Sequence, residues 1–204
     1  AVGRALDRLK QDDIKAVYTT SYPYSDHLIG LEIKKQYPGL PWLADFRDEW
    51  TNNPYLLDNP HRPARMKKEK AMEQEVLKKA DILITNTPIM KDNFVRLNPG
   101  LDLETRMAVI PNGYDSADFT KFEHRKSKND RFTLTYTGSL YGRRKPDKIL
   151  EAVGDLVSKE MIDKAKIRVR FIGSFKQEIM TGLVIKNGLQ GAVDAVPYMD
   201  HGEC

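Results

Sequence analysis

Short runs of β-branched and aromatic residues alternate along this chain with longer stretches in which apolar positions recur every three or four residues. The first pattern predicts strands at 16–19, 42–46, 82–86, 108–110, 132–137, 167–172 and 192–196. The second predicts helices near 25–36, 64–79, 88–97, 147–159 and 175–186, with Ser25 as the N-cap of the first of these. A further helix opens the chain in AVGRALDRL, where Val2, Ala5, Leu6 and Leu9 share one face. Strands and helices taken in turn predict an α/β protein built of βαβ units, with parallel sheets flanked by helices. In such sheets ligands bind at the carboxyl ends of the strands, in the turns that lead into helices.

One segment breaks the rhythm. Residues 111–131, PNGYDSADFTKFEHRKSKNDR, begin with Pro111 and the turn pair Asn112 and Gly113, then run on as a polar, highly charged stretch. A domain boundary is expected there, giving one domain over 1–116 and another over 117–204. No strand precedes the first helix, and Asp200 and Glu203 have capping-box spacing just where the sequence stops. Each domain is therefore expected to be partial.

Composition narrows the classes. Of the 204 residues 40% are hydrophobic and 30% charged, which excludes a disordered chain. The formal net charge of +4 suits a phosphate-bearing ligand but is too small to argue for nucleic acid. A single cysteine, Cys204, excludes an internal disulfide framework. No apolar run approaches the ~18 residues of a membrane span. His27, His61, His124 and His201 are scattered, and nothing has metal-ligand spacing.

Two stretches carry candidate chemistry. In YTGSLYGRRKPDKILEA, Gly138 opens a turn between a strand and a helix, and Arg143, Arg144 and Lys145 sit together in that turn. A helix N-terminus offers backbone N–H groups and partial positive charge, and guanidinium forks can hold phosphate oxygens bidentately. Cations at that end oppose the helix dipole, so they gain nothing structural from the position. A diphosphate site is one reading of the triplet and a solvated turn is the other. In LADFRDEW, Asp45, Arg47, Asp48 and Trp50 follow a strand at once. Carboxylates flanking an arginine there can hold sugar hydroxyls or steer a proton, or pair among themselves on the surface. His27, in the first turn of its helix, is a candidate catalyst or a cap-region residue.

ADFRDEW, ADILITNTP, VIPNGYD, YTGSLYGRRKPDKILEA and FIGS occur in that order, and together they resemble the GT-B glycosyltransferases of the large group-one family, retaining and nucleotide-sugar dependent. Within it they are similar to the branch that builds bacterial cell-surface polysaccharides. The resemblance implies parts of two Rossmann-like domains, the first on the acceptor side and the second holding the donor nucleotide. It implies a cytoplasmic enzyme, no metal or other cofactor, a nucleotide-diphosphate sugar as donor, a glycan or lipid-linked acceptor, and no nucleic acid. Gly138 and Ser139 match the diphosphate loop, with Ser139 where relatives commonly have arginine and Arg144 where they have lysine. Arg143 and Lys145 share that work. Gly173 and Ser174 match a loop lining the same cleft, and Val196 and Tyr198 the segment that meets the base. Asp45, Arg47 and Asp48 lie where relatives carry a catalytic histidine and aspartate, with Arg47 in the histidine's place. Asn112 and Gly113 match the segment between the domains. The family's paired donor-sugar glutamates, its returning C-terminal helix and its N-terminal glycine-rich loop have no counterpart here, so the 204 residues alone are expected to be inactive.

Two readings of another kind stay open: a related UDP-sugar epimerase, and a non-catalytic nucleotide-binding or interaction module. The loop 51–70 also has two. Tyr55, Leu56 and Leu57, followed by Arg62, Arg65, Lys67, Lys68 and Lys70, suit peripheral contact with the inner face of a membrane. Alternatively the leucines pack onto the domain and the lysines form the outer face of a helix.

Overall fold

The computed structural model describes residues 1–118 and 129–199. The expected capping box at Asp200 and Glu203 lies outside the described residues, as do His124, His201 and Cys204. The chain divides into two compact units, Ala1–Tyr114 and Asp115–Cys204.

The first unit runs α1 (Val2–Gln11), β1 (Val17–Ser21), α2 (Ser25–Gln36), β2 (Trp42–Phe46), α3 (Pro54–Asp58), α4 (Pro63–Lys79), β3 (Ile82–Thr85), α5 (Pro88–Leu97) and β4 (Met107–Val109). Its sheet is parallel with the order β1-β2-β3-β4. Strands that follow chain order with crossovers of one hand bring their helices to one face. Burial agrees with that rule. Thr19, Trp42, Ala44, Phe46, Leu83, Thr85 and Met107 are buried, whereas on the opposite face Tyr18, Ile82 and Ile110 are 56%, 43% and 50% exposed, around the paired and buried Asp45 and Ile84 of the two central strands.

The short helix α3 was not expected. Asn53 caps it, its side-chain oxygen accepting from the Tyr55 N–H at 2.9 Å, and Pro54 stands at the first helical position. Ser25 is the first residue of α2 rather than its cap, which is Tyr24. At its far end α4 is closed by Arg106, whose guanidinium donates to the carbonyls of Leu77 at 3.0 Å and Ala80 at 2.6 Å.

The second unit contains β5 (Phe132–Thr137), α6 (Asp147–Ser158), β6 (Ile167–Ile172), α7 (Gln177–Lys186) and β7 (Val193–Val196), with short 3₁₀ turns at Ser116–Asp118 and Lys164–Lys166. Its sheet is parallel, ordered β5-β6-β7. Leu150, Val153, Val169, Phe171, Met180 and Leu189 form its core. The other face carries Arg168 and Arg170, both within 3.7 Å of the Asp194 carboxylate.

Helix α2 packs closely on β2. Gly30 lies against the Trp42 indole so closely that a Cβ would come within 2.4 Å of the ring. The ring cannot retreat, because it is 1% exposed and its Nε1–H donates to Thr19 Oγ1 at 2.9 Å. Gly30→Ala should therefore destabilise the first unit by about 1–3 kcal/mol through overpacking. Urea unfolding should show a lower midpoint with an unchanged slope, and a midpoint equal to that of the wild type would show that the helix can shift at no cost.

Candidate functional site

Asp45 stands on the helix-free face of β2, and the parallel register sets it beside Thr20 of β1. Its Oδ2 accepts from the Tyr18 hydroxyl, from Thr20 Oγ1 at 3.2 Å and from Arg47 Nε at 2.8 Å. The carboxylate is 1% exposed, and its Oδ1 has no hydrogen-bond partner. The hydrogen bond to Asp45 raises the Tyr18 pKa above the ordinary tyrosine value, and Asp45 likewise holds Arg47 more firmly protonated. Arg47 reaches on with Nη1 to the Ile110 carbonyl and Asn112 Oδ1, each at 3.1 Å. Asp45, Arg47 and Asn112 thus form one polar chain from the sheet to the segment that leaves β4, while Gly113 next along is exposed.

Asp48 does not join that chain. It is exposed and borders a cleft of about 730 Å³ beside the N-terminus of α2. Tyr22, Tyr24, Trp50 and Tyr55 give the cleft aromatic walls, and Leu56 turns into it. Tyr24 and Trp50 stack with centroids 5.0 Å apart and planes 5° from parallel, and Tyr22 meets Tyr24 edge-on at 5.6 Å. Burial pushes the Tyr24 hydroxyl up to about 12, so it remains a donor, to the Glu49 carbonyl at 2.6 Å.

Two buried acids of α4 hold the loop that carries Asp48. Glu69 accepts from Trp50 Nε1 at 2.8 Å and from Arg65 Nε at 2.6 Å. Glu73 accepts from the Thr51 N–H at 3.1 Å, Thr51 Oγ1 at 2.6 Å and Lys70 Nζ at 2.8 Å. Neither acid was anticipated from the sequence, nor were Tyr18 and Thr20 as partners of Asp45. The period-2 alternation of β1 and β2 would have found the latter pair. Of the apolar cluster in the loop 51–70, Tyr55 and Leu57 are 47% and 51% exposed, and Lys67 and Lys68 lie exposed on α4.

His27 is withdrawn from any substrate. Its ring is 0% exposed on the helix-covered face, 4.4 Å from the Phe46 ring, with Nδ1 2.8 Å from Thr19 Oγ1. Thr19 Oγ1 also accepts from Trp42 Nε1 at 2.9 Å, so one hydroxyl ties the imidazole to the indole inside the core. His27 packs the core.

In the second unit two glycines shape the ends of adjacent strands. Gly138 (φ +135) and Gly173 (φ +140) both hold backbone that favours glycine. A Cβ on Gly173 would lie 2.3 Å from the Gly138 carbonyl oxygen. The Gly138 N–H donates to the Ile172 carbonyl at 2.8 Å, Leu140 N–H to Ser174 at 2.8 Å, and Gly173 N–H to Val196 at 3.1 Å. Gly138, Ser139, Gly173, Ser174 and Val196 are thereby gathered at one sheet end. Tyr198 beyond them is 78% exposed. Arg143, Arg144 and Lys145 lie exposed in the turn just before α6, with the Arg144 guanidinium 5.3 Å from the centre of the Tyr141 ring. The N-cap of α6, Pro146, makes no side-chain cap bond.

Among the described residues no helix is long and apolar enough to cross a membrane, and no three His, Cys, Asp or Glu side chains are grouped to hold a metal ion.

No protein-family model matches the chain, and no curated protein matches it in sequence. Solved structures match over almost its full length. A UDP-forming α,α-trehalose-phosphate synthase from Burkholderia xenovorans aligns with 98% of this chain and 51% of its own, at TM-score 0.60 and 12% identity. Sucrose-phosphate synthase from Thermosynechococcus elongatus aligns with 99% and 50%, at 0.58 and 14%. HepE from Anabaena, solved with UDP and glucose, aligns with 97% and 51%, at 0.56 and 13%. This likeness shows the fold, α/β with the Rossmann-like units of GT-B proteins. The chain spans about half the length of the structures it matches.

The buried imidazole has a consequence for acid stability. Burial lowers the His27 pKa from 6.5 to about 4. Below 6.5 the unfolded chain takes up a proton that the folded chain refuses, so the stabilisation is complete above that pH and is lost as pH falls toward 4. The loss should reach about 3 kcal/mol, at 1.36 kcal/mol per unit. Denaturant midpoints of wild type and His27→Gln, measured from pH 7.5 to 4, should converge on acidification. Parallel curves would mean that His27 titrates normally.

Proposed function

We propose that the protein to which this chain belongs is a nucleotide-sugar-dependent glycosyltransferase, moving a sugar from a nucleotide-diphosphate donor to a hydroxyl of a glycan or lipid-linked acceptor. The observation that carries this reading is the glycine-shaped sheet end at Gly138 and Gly173, beside the turn with Arg143, Arg144 and Lys145 that leads into α6. Close backbone approach, a helix N-terminus and exposed cations are what a diphosphate needs. The fold supports the same reading, since HepE was solved with UDP and glucose and the Burkholderia synthase is named UDP-forming.

In this reading Gly138, Ser139, Gly173 and Ser174 let the diphosphate approach the backbone, and Val196 and Tyr198 border the base. The acceptor oxygen forms its bond to the anomeric carbon as the bond from that carbon to the diphosphate oxygen breaks. The nucleoside diphosphate leaves with the electron pair, and the cations of the turn stabilise the charge it gains, a task this reading gives to side chains rather than to a metal ion. Asp48, exposed at the cleft rim, orients the acceptor hydroxyl or takes its proton. Asp45 and Arg47 position the segment through Asn112 and Gly113 instead of touching substrate. The lipid-linked alternative would engage Tyr55, Leu57, Lys67 and Lys68 at a membrane surface.

Replacing Arg143, Arg144 and Lys145 together by Gln should weaken UDP or GDP binding about a hundredfold, some 3 kcal/mol for two lost charge-assisted contacts. Calorimetric titration measures it, and unchanged affinity would return the triplet to solvent. Asp48→Asn in the full-length protein should lower the transfer rate tenfold or more with the thermal midpoint unmoved. A wild-type rate accompanied by lower stability would make Asp48 structural.

A further inference from the structure

The cleft of the first unit has an electrostatic character that discriminates among acceptors. Its ionisable side chains, tyrosines aside, are Asp48, His61, Arg65 and Glu69, so the carboxylates outnumber the guanidinium two to one. Arg65 is already committed to Glu69 at 2.6 Å, and Asp48 stands exposed at the rim. A phosphate entering here would meet two carboxylates against one guanidinium that already pairs with Glu69, a balance that favours a neutral ligand over an anion. The basic residues of α4 do not change this, because Lys70 is held by Glu73 at 2.8 Å and Lys67 and Lys68 are not part of the lining.

What the cleft does offer is ring surface. Tyr22 is 79% exposed and Tyr55 47% exposed, so both present aromatic area at the opening. Tyr24 is pinned between Tyr22 and Trp50, and its hydroxyl is tied to the Glu49 carbonyl, so this wall is set before any ligand arrives. The negative π face of an aromatic ring attracts the weakly positive C–H hydrogens that line one face of a pyranose. Asp48 and Asn59 beside the rings can accept or donate to the hydroxyls around its edge. A volume of about 730 Å³ accommodates a short oligosaccharide.

We propose that this cleft binds neutral pyranose units of a glycan acceptor, stacked on Tyr22 and Tyr55, and does not bind the phosphate group of a lipid carrier. The proposal rests on the transferase reading for its role but not for its chemistry. The test is isothermal titration calorimetry on the full-length protein with maltotetraose, cellotetraose, chitotetraose and farnesyl diphosphate. Saturable binding of at least one tetrasaccharide is expected, weakened tenfold or more in Tyr22→Ala/Tyr55→Ala and retained in Tyr22→Phe/Tyr55→Phe, which keeps the rings. The phenylalanine pair also guards against a folding defect, as its thermal midpoint should equal that of the wild type. Absence of binding by all three sugars, binding indifferent to the alanine pair, or saturable farnesyl diphosphate binding that the alanine pair abolishes would each overturn the proposal. A separate titration of the full-length protein with UDP and GDP reports on nucleotide binding. Loss of nucleotide binding there would sink the transferase reading while leaving the sugar result to stand or fall alone.

Discussion

Parallel strands laid down in chain order constrain everything else in the first unit. A crossover between neighbouring parallel strands has one strongly favoured hand, so a sheet that grows only in one direction carries its helices on one side. Adjacent residues of each strand then meet opposite environments. Thr19 enters the covered face, where it links the Trp42 indole to His27, while Tyr18 and Thr20 turn to the other face and bind Asp45. His27 and Asp45 are close in the fold yet serve different layers. The carboxyl ends of the strands fall on one edge by the same constraint, and the loops that carry Arg47, Asp48 and Asn86 are brought together there, with Asn86 Nδ2 donating to the Arg47 carbonyl at 2.8 Å.

The strands and most helices were legible because burial on two faces writes apolar runs and burial on one face writes a helical period. TLTYTG and FIG ended strands where the structure ends them, and Asp147 opened its helix as expected. The turn chemistry at Gly138 and Gly173 could also be read, since a glycine after a strand advertises backbone that other residues resist. The α3 turn was missed because NPYLLD is too short to show a period, although Asn53 and Pro54 together spell its start.

The candidate site in the first unit was legible only in part, for a physical reason. Its contacts join residues far apart in sequence, and a buried carboxylate has no periodic signature. PARMKKEKAMEQEVLKK reads as a solvated charged helix, yet Glu69 and Glu73 within it are 7% and 2% exposed. Each is tolerated because nearly every lone pair it turns inward finds a donor from the loop 50–51 or from a cation one helical turn away. His27 shows the converse. Its place early in a helix suggested a catalyst or a cap-region residue, but Phe46 and the Thr19 hydroxyl claimed both its ring and one nitrogen.

In the proposed role of the cleft, those two glutamates would be the source of its selectivity. The loop above them would otherwise be a short connection between a strand and a helix, free to follow its ligand. Held at Trp50 and Thr51, it fixes the direction of the neighbouring Asp48 and the plane of the ring stacked on Trp50. The cost of ordering is met on folding rather than on binding, which leaves weak contacts, such as those between ring faces and sugar C–H groups, enough to discriminate. The second unit solves the opposite problem with opposite means. A diphosphate brings its own charge, so the site proposed for it would need access more than shape, which two glycines and an exposed basic turn could supply. One unit is charge-balanced and aromatic, the other cationic and glycine-opened. That contrast in chemistry is what the proposed transfer, between an anionic donor and a neutral acceptor, would call for.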